Sequence, residues 1–105
     1  MPRIQACSTT DLEADNMFRF DPPGKPPIAI FLLDGEYYAT DDTCTHGQAS
    51  LVEGFIEDGS VYCPFHEGAF DIKTGKPTAP PCVAAVRCYP VVVEGEQIFV
   101  EIAEE

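Results

Sequence analysis

Apolar residues in this chain come in short runs broken by glycine- and proline-bearing turns, and no window keeps the period of a long amphipathic helix. Ile28 to Leu33 is a continuous apolar run, the pattern of a strand buried on both faces. Asp34-Gly35 then turns the chain into Glu36-Tyr37-Tyr38-Ala39-Thr40. Asp-Gly between apolar runs is the strongest local hairpin signal, because both turn residues must take positive φ. The signal recurs at Asp58-Gly59, between Phe55-Ile56-Glu57 and Val61-Tyr62-Cys63. Glu94-Gly95 joins Val91-Val92-Val93 to a last arm, Gln97 to Ile102. There Ile98, Val100 and Ile102 alternate with Gln97, Phe99 and Glu101, as in a half-buried strand. Pro90 places the strand that follows it at a sheet edge or makes that residue its start. Phe31, Tyr37, Tyr38 and Phe99 read as core or cross-strand aromatics.

Helix signal is confined to Ser8-Thr9-Thr10-Asp11-Leu12-Glu13, enough for a single capped turn. Ten prolines break most other windows, and Pro22 to Pro27 reads as a stiff surface turn. The pattern predicts an all-β chain of many short strands, a sandwich or small barrel, as a single domain over residues 1–105.

Charge narrows the partners. Asp plus Glu is 18 against 6 Lys plus Arg, a net charge of −12 over 105 residues. Such a chain repels nucleic acid and anionic lipid, and a protein partner is expected to dock with a basic patch. No apolar run approaches the ~20 residues of a membrane span. The first residues lack the apolar core of a secretory signal, so the cytoplasm is the expected location. Thiols stay reduced there, and the five cysteines need an explanation other than a disulfide framework.

Both histidines of the chain sit beside a cysteine, in Cys44-Thr45-His46 and in Cys63-Pro64-Phe65-His66. Each pair follows a predicted strand, and Gly47, Pro64 and Gly68 allow the tight turns that a metal-binding loop needs. A single Cys or His in a β domain is ordinary core or surface. Two such pairs using every histidine point instead to an inorganic centre. Structural zinc accepts two Cys and two His, but its knuckles pair like ligands with like. A two-iron Rieske centre, with thiolates on one iron and imidazoles on the other, accounts for the mixing.

Cys44-Thr45-His46-Gly47 and Cys63-Pro64-Phe65-His66-Glu67-Gly68 resemble the two cluster-binding loops of Rieske ferredoxins. Tyr38-Ala39-Thr40, Phe70-Asp71 and Thr74-Gly75 fit the same pattern, and Ala79-Pro80-Pro81 resembles the family's cluster-covering proline loop. The resemblance is to the small ferredoxins of aromatic-ring-hydroxylating dioxygenases. It implies a stack of three small antiparallel sheets with the cluster loops at one tip. It puts Cys44 and Cys63 on one iron of a single 2Fe–2S cluster, and His46 and His66 on the other. It implies a one-electron carrier with no catalytic site, moving electrons from an NAD(P)H-dependent flavin reductase to a terminal oxygenase. Docking is expected near the exposed His46/His66 edge. Asp41, Asp42 and Glu53 are candidates for an acidic docking ring; Glu67 tunes the imidazole edge, meets a basic partner or is a solvated carboxylate, and Phe65 packs under the loop, shields the cluster or touches a partner. An oxygenase would need two further histidines and a carboxylate for its own iron, and a reductase a G-x-G-x-x-G run; the sequence has neither. With both histidines used, no Ser-His-Asp triad is available.

High-potential Rieske proteins add a disulfide and hydroxyl donors around the cluster. The matching positions here are Ala49 and Phe65, and Gly68 and Phe70, which offer neither. Fewer donors stabilise the reduced state less, so the expected potential lies near the low end of the range of about −150 to +300 mV. Alternatives are a structural zinc module, the Rieske small subunit of a nitrite reductase, or a redox sensor. Cys7 and Cys88 are expected to be buried thiols, and Cys82 to lie near the cluster without joining its ligands. A Cys82–Cys88 bridge is disfavoured in a reducing compartment.

Overall fold

The computed structural model describes residues 3–43, 49–64, 68–79 and 85–102. In chain order the strands are β1 (Arg3–Ser8), β2 (Met17–Phe20), β3 (Ile28–Leu33), β4 (Glu36–Asp41), β5 (Phe55–Glu57), β6 (Ser60–Tyr62), β7 (Ala69–Asp71), β8 (Pro77–Ala79), β9 (Cys88–Tyr89), β10 (Val91–Glu94) and β11 (Gln97–Glu101). They form three sheets, ordered β1-β11-β10, β2-β3-β4-β9 and β5-β6-β7-β8. All the pairings are antiparallel.

The three predicted hairpins are β3–β4, β5–β6 and β10–β11. Asp34 and Gly35 have φ of 52° and 82°, and Asp58 and Gly59 have 52° and 81°. Positive φ at both turn residues matches the twist of the flanking strands, and Asp-Gly tolerates it. Pro90 precedes β10, an edge strand where its missing N–H leaves no ladder bond unmade. The capped turn is a 3-10 turn, Thr9–Leu12, and the Ser8 N–H donates to the Asp11 carboxylate at 2.9 Å.

Two apolar cores lie on opposite faces of the middle sheet. Ile28 and Ile30 enter one with Cys7, Leu12, Ala39, Ile98, Val100 and Ile102. Ala29 and Phe31 enter the other with Ala49, Leu51, Val61, Cys63, Phe70, Ile72 and Val86. Successive side chains of a strand point to opposite faces, so a strand packed on both sides must be apolar throughout. That explains the unbroken run in β3. β11, the middle strand of the first sheet, faces one core on one side only, and its alternation follows: Ile98 and Val100 are buried, Gln97 is exposed.

Cys7 is buried as expected, and burial with the nearby Asp11 charge pushes its thiol up to about 11. Cys88 corrects the expectation of a buried thiol: it is exposed, because β9 is a short edge strand. Cys82 lies outside the described residues.

Candidate metal centre

Of the predicted ligands, Cys63 lies among the described residues, while Cys44, His46 and His66 lie outside them, as do Phe65 and Glu67. The roots of their loops are described. Thr43 pairs with Ser50 in an antiparallel bridge that closes the base of the 44–48 loop. The Cys63 N–H donates to the Gly68 carbonyl at 2.7 Å, closing the base of the 65–67 loop where β6 returns as β7. Cys63 thus stands at the base of the β6–β7 hairpin, whereas the 44–48 loop leads from β4 of the middle sheet towards β5 of the third.

The roots meet in one core. Ala49 and Leu51 from the first loop pack in the same apolar cluster as Cys63, which is 2% exposed. Gly54, on the way out of the first loop, approaches β6 so closely that an added Cβ would overlap the Tyr62 carbonyl. A third segment is rooted there too. Ala79, at the end of β8, pairs with Ala69, and Val86 donates its N–H to the Gly75 carbonyl at 2.9 Å while packing into the core. The Pro80–Ala84 stretch between them, with the rest of the proline-loop resemblance, lies outside the described residues. Gly75 has φ of +79°, and a Cβ there would overlap the Val86 carbonyl and stand 2.9 Å from the Cys88 Sγ.

Asp42 and Asp41 are partnered within the fold. Asp42 is 1% exposed, so it cannot belong to a docking ring. Its carboxylate accepts from Ser50 Oγ–H at 2.5 Å and from Val52 N–H at 3.1 Å, tying the two limbs of the first loop together. Asp41 is half-buried and accepts from the Tyr89 hydroxyl at 2.5 Å. Burial, together with that bond and the Asp41 charge, pushes Tyr89 up to about 12. Glu53 remains exposed, as the ring requires.

One surface feature was not anticipated. Phe55 is 53% exposed and stacks on Tyr62, with ring centroids 4.9 Å apart and planes 1° from parallel. The pair borders a groove beside Cys63 and Pro64, flanked by Glu53 and Glu57. Phe55 faces Tyr62 in the register of the predicted hairpin, so their pairing was legible. The exposure of the pair was not, and nothing in the sequence marks Asp42 as buried.

A buried thiol at the root of one loop, packed against the root of the other, suits a soft metal group, and the histidine paired with each cysteine supplies a borderline donor. Ala49 and Phe70 are buried, at 3% and 0% exposed. Among the described residues no helix is long and apolar enough to cross a membrane.

Residues 3–90 match the family model described as the Rieske [2Fe-2S] domain. The 3-phenylpropionate/cinnamic acid dioxygenase ferredoxin subunit of Shigella boydii serotype 4 (strain Sb227) is 43% identical over 105 residues, 99% of this chain and 97% of its own. The ferredoxin component of the p-cumate 2,3-dioxygenase system of Pseudomonas putida is 44% identical over 100 residues, 94% of this chain and 85% of its own. A chain in the complex of reduced oxygenase and oxidized ferredoxin in carbazole 1,9a-dioxygenase superposes with a TM-score of 0.87 at 36% identity, covering 93% of this chain and 91% of that one.

Proposed function

This chain belongs to the Rieske [2Fe–2S] domain family, and from that premise we infer that it is the ferredoxin of an aromatic-ring-hydroxylating dioxygenase system. It is an electron carrier and not a catalytic subunit. Its 2Fe–2S cluster, when bound, takes up and gives back one electron. Cys44 and Cys63 hold one iron and His46 and His66 the other, within a single domain spanning residues 1–105. The carrying observation is the shared core that roots both Cys-His loops.

The ligand choice sets the potential through charge. Thiolates bring negative charge and neutral imidazoles bring none, so replacing two thiolates by histidines makes an added electron less unfavourable. Ala49 and Phe70 provide neither disulfide nor hydroxyl, which supports a potential near about −150 mV. That suits a carrier working in the cytoplasm between a flavin reductase fed by NAD(P)H and a terminal oxygenase. The relatives' names and the ferredoxin–oxygenase complex favour this reading over a nitrite reductase subunit.

Partners dock at the loop tip, near His46 and His66. The stacked Phe55–Tyr62 pair, with Glu53 and Glu57 beside Pro64, extends that surface with apolar area and negative charge, which a basic partner face complements.

Low-temperature EPR of the dithionite-reduced protein tests the cofactor and its ligands. A rhombic signal with the low average g of histidine-ligated centres is expected. A silent, colourless, zinc-containing sample would overturn the reading. Reconstitution with purified reductase and oxygenase tests the partners, and a Glu57→Lys variant is expected to slow transfer severalfold at unchanged potential.

A further inference from the structure

Asp42 is the one acidic side chain among the described residues that is buried. It lies on the outgoing limb of the first loop, two residues before Cys44. Ser50, Leu51 and Val52 form the returning limb. The Asp42 carboxylate accepts from Ser50 Oγ–H at 2.5 Å and Val52 N–H at 3.1 Å, and its main-chain carbonyl accepts from Leu51 N–H at 2.7 Å. Its charged neighbour is Arg19, whose Nε is 3.8 Å from Asp42 Oδ2. Arg19 is half-exposed, and its Nε also donates to Asp21 at 3.2 Å, so it offsets the buried charge only in part. Each of these groups donates or is cationic.

A clamp alone does not require the charge. An Asn in the same place accepts from the Val52 N–H and donates to Ser50 Oγ, because a hydroxyl rotates to accept. The charge therefore has a separable effect. One-electron reduction adds a negative charge near Cys44, and in a low-dielectric core a fixed negative charge nearby opposes it. We propose that Asp42 is a positioning residue that also holds the reduction potential down through its buried charge, and that Arg19 partly relieves this effect. The proposal rests on Cys44 being an iron ligand.

The experiment is voltammetry of the cluster-loaded protein, wild type against Asp42→Asn, Arg19→Gln and the double variant. Asp42→Asn is expected to favour the reduced form about tenfold, a positive shift of about 59 mV. Arg19→Gln is expected to disfavour it about threefold, and the double variant to fall between the two singles. Opposite signs are the signature of charge, since a purely structural clamp would move melting temperature and leave the potential in place. Shifts of the same sign, or none, overturn the proposal. If Asp42→Asn does not assemble its cluster, Arg19→Gln decides alone, and the lack of a negative shift is fatal. Iron content and EPR of the wild type test the ligation separately: a normal signal with unmoved potentials sinks only the role of Asp42, while an iron-free wild type sinks both.

Discussion

Cys7 and Cys63 are 7% and 2% exposed, in cores on opposite faces of one sheet, and local burial hardly tells them apart. The surroundings do. Cys7 stands on a strand, just past a register shift, among Ile98, Val100 and Leu12, where a thiol is a small apolar filler. Cys63 stands where a strand gives way to a loop, its N–H held by Gly68, and its core is completed by the roots of two other loops. One core is built mainly from strands, and the other joins strands to the roots of loops.

The contrast is sharpest under substitution. Cys63→Ser is expected to abolish iron binding and visible colour, whereas Cys7→Ser leaves both in place and costs about 1 kcal/mol by thermal melting. Equal iron content in the two variants would erase the distinction. Next in size, Ile98→Ala is expected to cost about 3 kcal/mol through its cavity, with an unchanged EPR signal in the folded protein. Gly75→Ala acts on the other core. Its positive φ and the overlap with Val86 predict a loss of about 2 kcal/mol, together with faster cluster loss, because Val86 anchors the segment after residue 84. If cluster lifetime is unchanged at lowered stability, that anchor does not matter to the site.

The smallest effect is alkaline. Cys7 is raised from 9.0 to about 11 and Tyr89 from 10.0 to about 12, so the fold favours their neutral forms. Both pack in or against the strand core. A raised value gives stability that is present in full below the ordinary value and is lost as pH rises through the folded one. Denaturant unfolding should therefore weaken between pH about 9 and about 12, and Cys7→Ala should remove the lower part of that decline. A flat profile over this window would contradict it.

The strand core was the more legible of the two. Alternation in Gln97 to Ile102 names its buried residues, and the unbroken Ile28 to Leu33 run announces a strand covered on both sides. Asp-Gly turns at 34–35 and 58–59 locate two hairpins, because few other pairs accept positive φ at both positions. The Cys-His pairs offer the donors of the proposed centre by chemistry alone. Asp42 was misread, because its burial depends on Ser50, Val52 and Arg19 converging from separate segments. Cys88 was misread because a two-residue edge strand carries too little pattern to show which side faces solvent.

The sequence by itself determined three hairpins with their turns and the family, and it offers the donor atoms proposed for a mixed-ligand cluster. Those properties reside in neighbouring residues: a turn's φ, a strand's alternation, a thiol two or three positions from an imidazole. Tertiary structure alone decided that three loops share one root, that Asp42 is buried at one of those roots, and that Phe55 and Tyr62 stack at the surface. Each of these is a meeting of distant segments, and burial, charge and access are set by which segments meet.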